Sequence, residues 1–233
     1  MPPLTESLAS RGFGLLSTVA WWTCSKFASP FGVLSIEVVL ERDLSVSVQP
    51  VIPKQEVTLR EAVEDDLPAI TRLYAAEPYL YLGDSSVNND VEADSAGMEL
   101  YRARMRRGEK CFIAFSGSEI AHVNWICFHW GEEAIDGHLF IPSPRAVYTT
   151  DGLTTNRFRG RNIHAAVLGA MLRYAQKAGY RIAYTVARDG RRGPLHGLRQ
   201  LEWRIAGKLL CFTPYGRRAL ILRESGGVGR FFR

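Results

Sequence analysis

The stretch from Arg145 to Ala187 limits the possible folds more than any other part of the sequence. It opens with "RAVYTTDGLTT", rich in the β-branched and aromatic residues that suit a strand, and the Asp151-Gly152 pair inside it predicts a bulge. Ile163, Ala166, Val167, Ala170, Met171, Tyr174, Ala175 and Ala178 then recur at the i, i+3, i+4, i+7 spacing of one helical face. Leu168 and Leu172 widen that face, so this helix must be largely buried, and Gly179 ends it. "RIAYTVA" (Arg181 to Ala187) returns to a strand pattern. A buried helix between two strands requires a sheet with a helix packed on its face.

The rest of the chain extends this plan. Residues 1–56 read as an N-terminal extension: a helix over Leu4 to Phe27, a break at Pro30 and Gly32, a strand over Val33 to Leu44, and a linker marked by Pro50 and Pro53. Residues 57–223 read as the main domain. It starts with a strand at Val57 to Arg60 and a helix with Glu64, Asp65 and Asp66 in its first turn and Leu67, Ile70 and Tyr74 on one face. A second helix runs from Asp94 to Arg107, aligning Met98, Tyr101 and Met105, with Gly108 as its C-cap. "CFIAF" and "EIAHVNWICFHW" form a hairpin, "GPLHGLRQLEW" a short helix, and "RIAGKLLCF" and "RALILR" a closing hairpin. Residues 224–233 read as a loose tail. The expected class is mixed α/β: a twisted mixed sheet flanked by helices, with a helix-strand extension before it.

Composition excludes some functions. Of the 233 residues, 46% are hydrophobic and 23% charged, which excludes disordered and collagen-like chains. The net charge of +5 suits an anionic ligand or surface without choosing one. Cys24, Cys111, Cys127 and Cys211 lie far apart and read as reduced thiols, and His122, His129 and His138 lack metal-ligand spacing, so no metal is expected. The apolar run Gly12 to Cys24 is too short to span a bilayer, and Glu6 sits where an export signal needs basic residues. The protein is expected in the cytoplasm, with Trp21 and Trp22 available for peripheral membrane contact.

"TTNRFRGRN", just before the buried helix, gathers Arg157, Arg159 and Arg161 around Gly160. A helix start already carries positive potential and free N–H groups, so arginines and a glycine there point to a bound anion. Arg188, Arg191 and Arg192 after the next strand add to the charge. Arg157-Phe-Arg-Gly160-Arg-Asn162-Ile resembles the R/Q-x-x-G-x-G/A loop of the GNAT superfamily of acyl-CoA-dependent N-acyltransferases, and the order of elements from Val57 to Arg223 is similar to that fold. The resemblance implies that Thr154, Thr155, Arg157, Arg159, Gly160, Arg161, Asn162 and Ile163, with Asp189 beyond the next strand, hold the coenzyme A part of acetyl-CoA or another acyl-CoA. It implies further that "RAVYTTDGLTT" and "RIAYTVA" are parallel and splay around the pantetheine arm. The chain departs from the family at Asn162, where Gly or Ala is usual, and in having no tyrosine in "RRGPLHGLRQLEW", where the family's acid falls.

Acyl transfer to an amine needs a base, an oxyanion donor and an acid for the leaving thiolate. Asp151 is the candidate base, a backbone N–H at its bulge the oxyanion donor, and His196 or Tyr148 the acid. His122 and Asn124 share one strand face, opposite His129, and are candidates to line the substrate site. Tyr79, Tyr81, Asp84 and Asp90 lie in a region that shapes the acceptor site in GNAT proteins. The expected function is N-acyl transfer, most simply N-acetylation, of a small-molecule amine by direct transfer in a ternary complex. The alternatives are a longer-chain transferase fed by acyl-CoA or acyl carrier protein, a non-catalytic acyl-CoA sensor, and a nucleic-acid-binding module, the last disfavoured by the absence of an aromatic-interleaved RNA motif.

Overall fold

The computed structural model describes residues 33–76, 90–128, 145–188, 197–213 and 219–224. Strand β1 (Val33–Asp43) is followed by β2 (Thr58–Glu61), α1 (Leu67–Ala75), α2 (Asp90–Arg106), β3 (Lys110–Ser116), β4 (Glu119–Cys127) and β5 (Ala146–Thr154). Then come α3 (Ile163–Lys177), β6 (Ile182–Arg188), a helical turn at 197–200, β7 (Arg204–Thr213) and β8 (Ala219–Glu224). The expected helix over Leu4 to Phe27 lies outside the described residues.

All eight strands join one sheet in the order β2-β3-β4-β5-β6-β1-β7-β8. Every pairing is antiparallel except that of β5 with β6. A right-handed crossover through α3 is the ordinary way to join two such parallel strands. β1 comes from the extension, yet it lies between β6 and β7, with Glu41 opposite Tyr184 on one side and Arg204 on the other. After it, the chain runs back along α3: Gln176 donates to the carbonyls of Leu44 and Val46 at 2.7 and 3.1 Å, and the Lys54 N–H donates to the Arg161 carbonyl at 2.8 Å.

Alternation along the strands divides the core in two. Val38, Leu40, Phe112, Ala114, Ile126, Val147 and Ala183 meet Ile163, Val167, Leu168, Met171 and Leu172 of α3 on one face. Ile113, Val123, Trp125 and Leu153 meet Leu67, Ile70 and Tyr74 of α1 and Tyr101 of α2 on the other. Of the stripes expected from the 3.6-residue period, α1 buries Leu67, Ile70 and Tyr74 as read, and α2 buries Tyr101 with Met98 and Met105 half-buried. α3 buries Ile163, Val167, Met171 and Ala175 but leaves Ala166 and Ala170 half-buried and Tyr174 and Ala178 exposed. Cys111 is buried and Cys127 half-buried, both as free thiols, and burial pushes the Cys127 thiol up to about 12. Among the described residues no helix is long and apolar enough to cross a membrane.

Candidate active site

β5 and β6 pair from Ala146 and Ile182 only as far as Thr149 and Thr185. Beyond that point β5 follows β4 to Thr154 and β6 follows β1 to Arg188, so the two strands part and leave a cleft. The Thr185 hydroxyl donates to the Thr149 carbonyl at 2.9 Å, satisfying an acceptor where the ladder stops.

The arginine loop closes one end of this cleft. A 3-10 turn at Asn156–Phe158 buries Phe158, and the chain then passes through Gly160 (φ 75°) and Asn162 (φ 60°) before entering α3. Both positions require left-handed backbone, which glycine takes freely and asparagine better than most residues. No side chain caps the first-turn amides of α3, and nothing lies within 4 Å of the open side of Gly160. The arginines also shape the loop: Arg157 pairs with Glu119 at 2.7 Å, Arg161 donates to Gln55, and Arg159 donates to the Thr154 carbonyl at 3.1 Å. Beside it an open groove of about 380 Å³ runs between Ala69, Arg72 and Leu73 of α1 and Thr155, Arg157 and Phe158.

The expected bulge is present. Thr150 faces Trp125 and Leu153 faces Val123, so β5 holds one residue more than β4 across this step. Asp151 takes φ 53° there and is held from two helices. The Tyr74 hydroxyl donates to its carbonyl, and Arg104 of α2 donates to its carboxylate, both at 2.5 Å. Arg104 also pairs with Glu109 at 2.7 Å and lies 4.4 Å from the Trp125 ring centre, while the Cys127 thiol donates to Glu109 at 3.1 Å. Burial opposes the Arg104 charge, but Asp151, then Cys127 and Glu109, outweigh it and hold the guanidinium well above its ordinary value. Burial likewise acts against the Glu109 charge, and Arg104 overrides it, leaving the carboxyl below its ordinary value.

His122 and Asn124 share a face, as their spacing requires, and it is the α3 face, opposite the carboxylate of Asp151. His122 Nδ1 and the Thr154 hydroxyl are 2.8 Å apart, and the His122 and His164 rings meet edge-on at 5.1 Å. His122 Nε2 and Asn124 Oδ1 are buried without a hydrogen-bond partner. Burial, and secondarily His164, push the His122 imidazole well below its ordinary value, and burial brings His164 to about 4. A Cβ on Gly152 would lie 3.2 Å from both Asn124 Oδ1 and His164 Cε1, so any side chain here would have to press these two aside by a few tenths of an ångström.

Sequence comparison finds no match, either to a family model or to a curated protein. Fold comparison does. The chain is similar to a tandem GNAT protein from the clavulanic acid biosynthesis pathway, with TM-score 0.54 and 10% identity over 88% of this chain and 58% of that one. It is similar to an N-acetyltransferase from Staphylococcus aureus Mu50, with TM-score 0.53 and 16% identity over 72% of this chain and 95% of that one. A functionally unknown conserved protein from Staphylococcus epidermidis gives TM-score 0.53 and 12% identity, with 85% of this chain spanning 65% of that one. The chain has the GNAT fold.

The expected coenzyme A contacts Thr154, Thr155, Arg157, Arg159, Gly160, Arg161, Asn162 and Ile163 lie in one segment that runs from the end of β5 through the 3-10 turn to the first residue of α3. Asn162 stands where the GNAT loop prefers Gly or Ala, and its left-handed φ gives the physical reason asparagine is tolerated. Tyr148 lies on the face of α1 and α2, buried, with Tyr184 beside it across the parallel pair. Asp189, His196, Tyr79, Tyr81, Asp84 and His129 lie outside the described residues, and Asp90 opens α2. Sequence reading missed Tyr74 and Arg104, which hold the bulge, and His164. Only His164 carried a signal, as a polar residue in the first turn of a buried helix.

Proposed function

We propose that this chain is an acyl-CoA-dependent N-acyltransferase, in its simplest form an N-acetyltransferase acting on a small-molecule amine. One observation carries the reading: the only parallel strand pair among the described residues parts beside an uncapped helix start, reached through left-handed Gly160 and Asn162. That site fits a diphosphate, because first-turn N–H groups and the helix dipole favour anions and the bare face of Gly160 admits close approach. The loop amides from Gly160 to Ile163 would hold the pyrophosphate, with the exposed Arg159 adding charge. Acetyl-CoA supplies an activated thioester.

This chain's residues then have separate tasks. The bulge turns backbone N–H groups away from the β4 ladder, a suitable source for the oxyanion donor. Tyr74 and Arg104 fix the bulge in place through Asp151. With one oxygen committed to Arg104, Asp151 takes the proton from the attacking nitrogen through a water, and Tyr148 or His196 supplies the proton to the departing thiolate. Transfer is direct, within a ternary complex of donor and acceptor.

Thermal unfolding with acetyl-CoA tests this. At a hundredfold excess over Kd a ligand adds about 2.7 kcal/mol, a rise of roughly 5–10 °C for a chain of this size. The rise is expected with acetyl-CoA and is expected to vanish in Gly160→Trp. A larger rise with a long-chain acyl-CoA would move the substrate to lipidic donors. No rise with any coenzyme A species would overturn the proposal.

A further inference from the structure

At the level where β5 and β6 part, three polar side chains form a row across adjacent strands. Tyr148 of β5 is paired with Tyr184 of β6, and Tyr184 with Glu41 of β1. Register partners share a face and lie about 5 Å apart. Val147 and Ala183 belong to the α3 core, so this row projects from the opposite face, the one that carries the Asp151 carboxylate. The row begins one residue before the last paired residues, Thr149 and Thr185, at the base of the cleft.

Glu41 is the unusual member. Asp66, Glu109 and Asp151 are half-buried carboxylates, and each holds a guanidinium within 2.7 Å. Glu41 is also half-buried, and among the described residues no cation lies at ion-pair distance from it. Its register partner on β7, Arg204, is exposed and acts on it only from farther away. A half-buried carboxylate without a cation is costly to maintain unless something positive visits it. Tyr184 and Tyr148, next in the row, are buried, so Glu41 is the member of the row that offers solvent a charged group.

We infer that β1 contributes to the acceptor site, and that Glu41, beside Tyr184 and Tyr148 in the row, is the counter-charge that binds the ammonium group of a cationic amine substrate and takes the proton it must lose before the neutral nitrogen attacks the thioester. The inference rests on the acyltransferase reading and narrows its acceptor to amines that arrive charged. It also gives the extension a role: its strand carries the specificity residue. Burial pushes the Glu41 carboxyl up, with Asp43 adding to the shift and Arg204 opposing it, and burial together with Glu41 pushes the Tyr184 phenol up to about 12. Both shifts are those of a site that gains by accepting a cation.

The test uses the full chain with acetyl-CoA and two acceptors, n-butylamine, which is charged near neutral pH, and hydroxylamine, which is not. Thiol release is followed for wild type, Glu41→Gln and Tyr184→Phe. Glu41→Gln is expected to lower kcat/KM for butylamine by at least about tenfold, the loss of a charge-assisted contact, and to leave hydroxylamine turnover and the acetyl-CoA thermal rise unchanged. Tyr184→Phe keeps the ring and is expected to lower butylamine kcat/KM less than Glu41→Gln does, and an equal or larger loss would overturn the assignment of the counter-charge to Glu41. Equal loss with both acceptors would make Glu41 a structural residue and overturn the inference, as would no loss with either. Acetyl-CoA binding without butylamine-dependent release in wild type would overturn it too. Failure of acetyl-CoA to bind wild type would instead overturn the acyltransferase reading beneath it.

Discussion

The two faces of the sheet set different kinds of buried polar group beside the bulge. Under α1 and α2, Arg104, Asp151, Glu109 and Cys127 satisfy one another, and Tyr74 ties the bulge carbonyl into the same network. Under α3, His122 Nε2 and Asn124 Oδ1 have no partner although their residues are 0% and 2% exposed. The difference follows from charge. A buried guanidinium or carboxylate without a partner costs several kcal/mol, so the charged network has to be complete, while the neutral Thr71 Oγ1 and Trp125 Nε1 on the same face also go without a partner. A neutral imidazole and a neutral amide cost far less, and burial keeps both histidines neutral. A bulge that must stay fixed is therefore anchored from the charged side, while the neutral side only makes room for it.

The sharpest way to break this contrast is Arg104→Met. It strips Asp151 of its cation and leaves Glu109 only Arg107, and should cost about 3–5 kcal/mol in urea unfolding. A neutral result would show the network to be ornamental.

Acid tests the other face with a smaller effect. His122 and His164 have depressed folded-state pKa values, so below about 6.5 the unfolded chain binds protons that the native state refuses. Stability should fall as pH drops from about 6.5 toward 4, by about 1.4 kcal/mol per unit for each histidine, and His164→Gln should flatten that slope. An unchanged slope in His164→Gln would mean its imidazole accepts a proton in the folded protein.

The smallest effect is expected from Asn124→Leu. Removing an unsatisfied buried acceptor for a similar apolar volume should change stability by less than about 1 kcal/mol, measured in the same urea series. A loss as large as that of Arg104→Met would erase the distinction between the faces.

Periodicity made much of this architecture legible. Leu67, Ile70 and Tyr74 could be placed on one buried face from spacing alone, and so could most of the α3 stripe. Asp151-Gly152 announced its bulge because a turn-forming pair had no other reason to interrupt a strand. The Arg104 network left no such trace. An arginine in the last turn of a helix reads as an ordinary response to the helix dipole, and its partners stand in two other strands or loops brought together only by folding. β1 was legible as a strand, but its neighbours are not encoded locally. A pairing between Asp43 and Ile182 depends on the whole sheet being assembled around it.

The position of β1 has a consequence for how the protein is made. A ribosome delivers Val33–Asp43 early, yet the two strands that flank it, β6 and β7, are among the last to emerge. For most of synthesis this apolar strand has neither neighbour, and the sheet can be completed only by inserting an old segment between new ones. Such late, long-range pairing slows folding and leaves strand edges exposed while the chain waits. The cleft wall carried by β6 is therefore braced on its outer side only at the end of assembly.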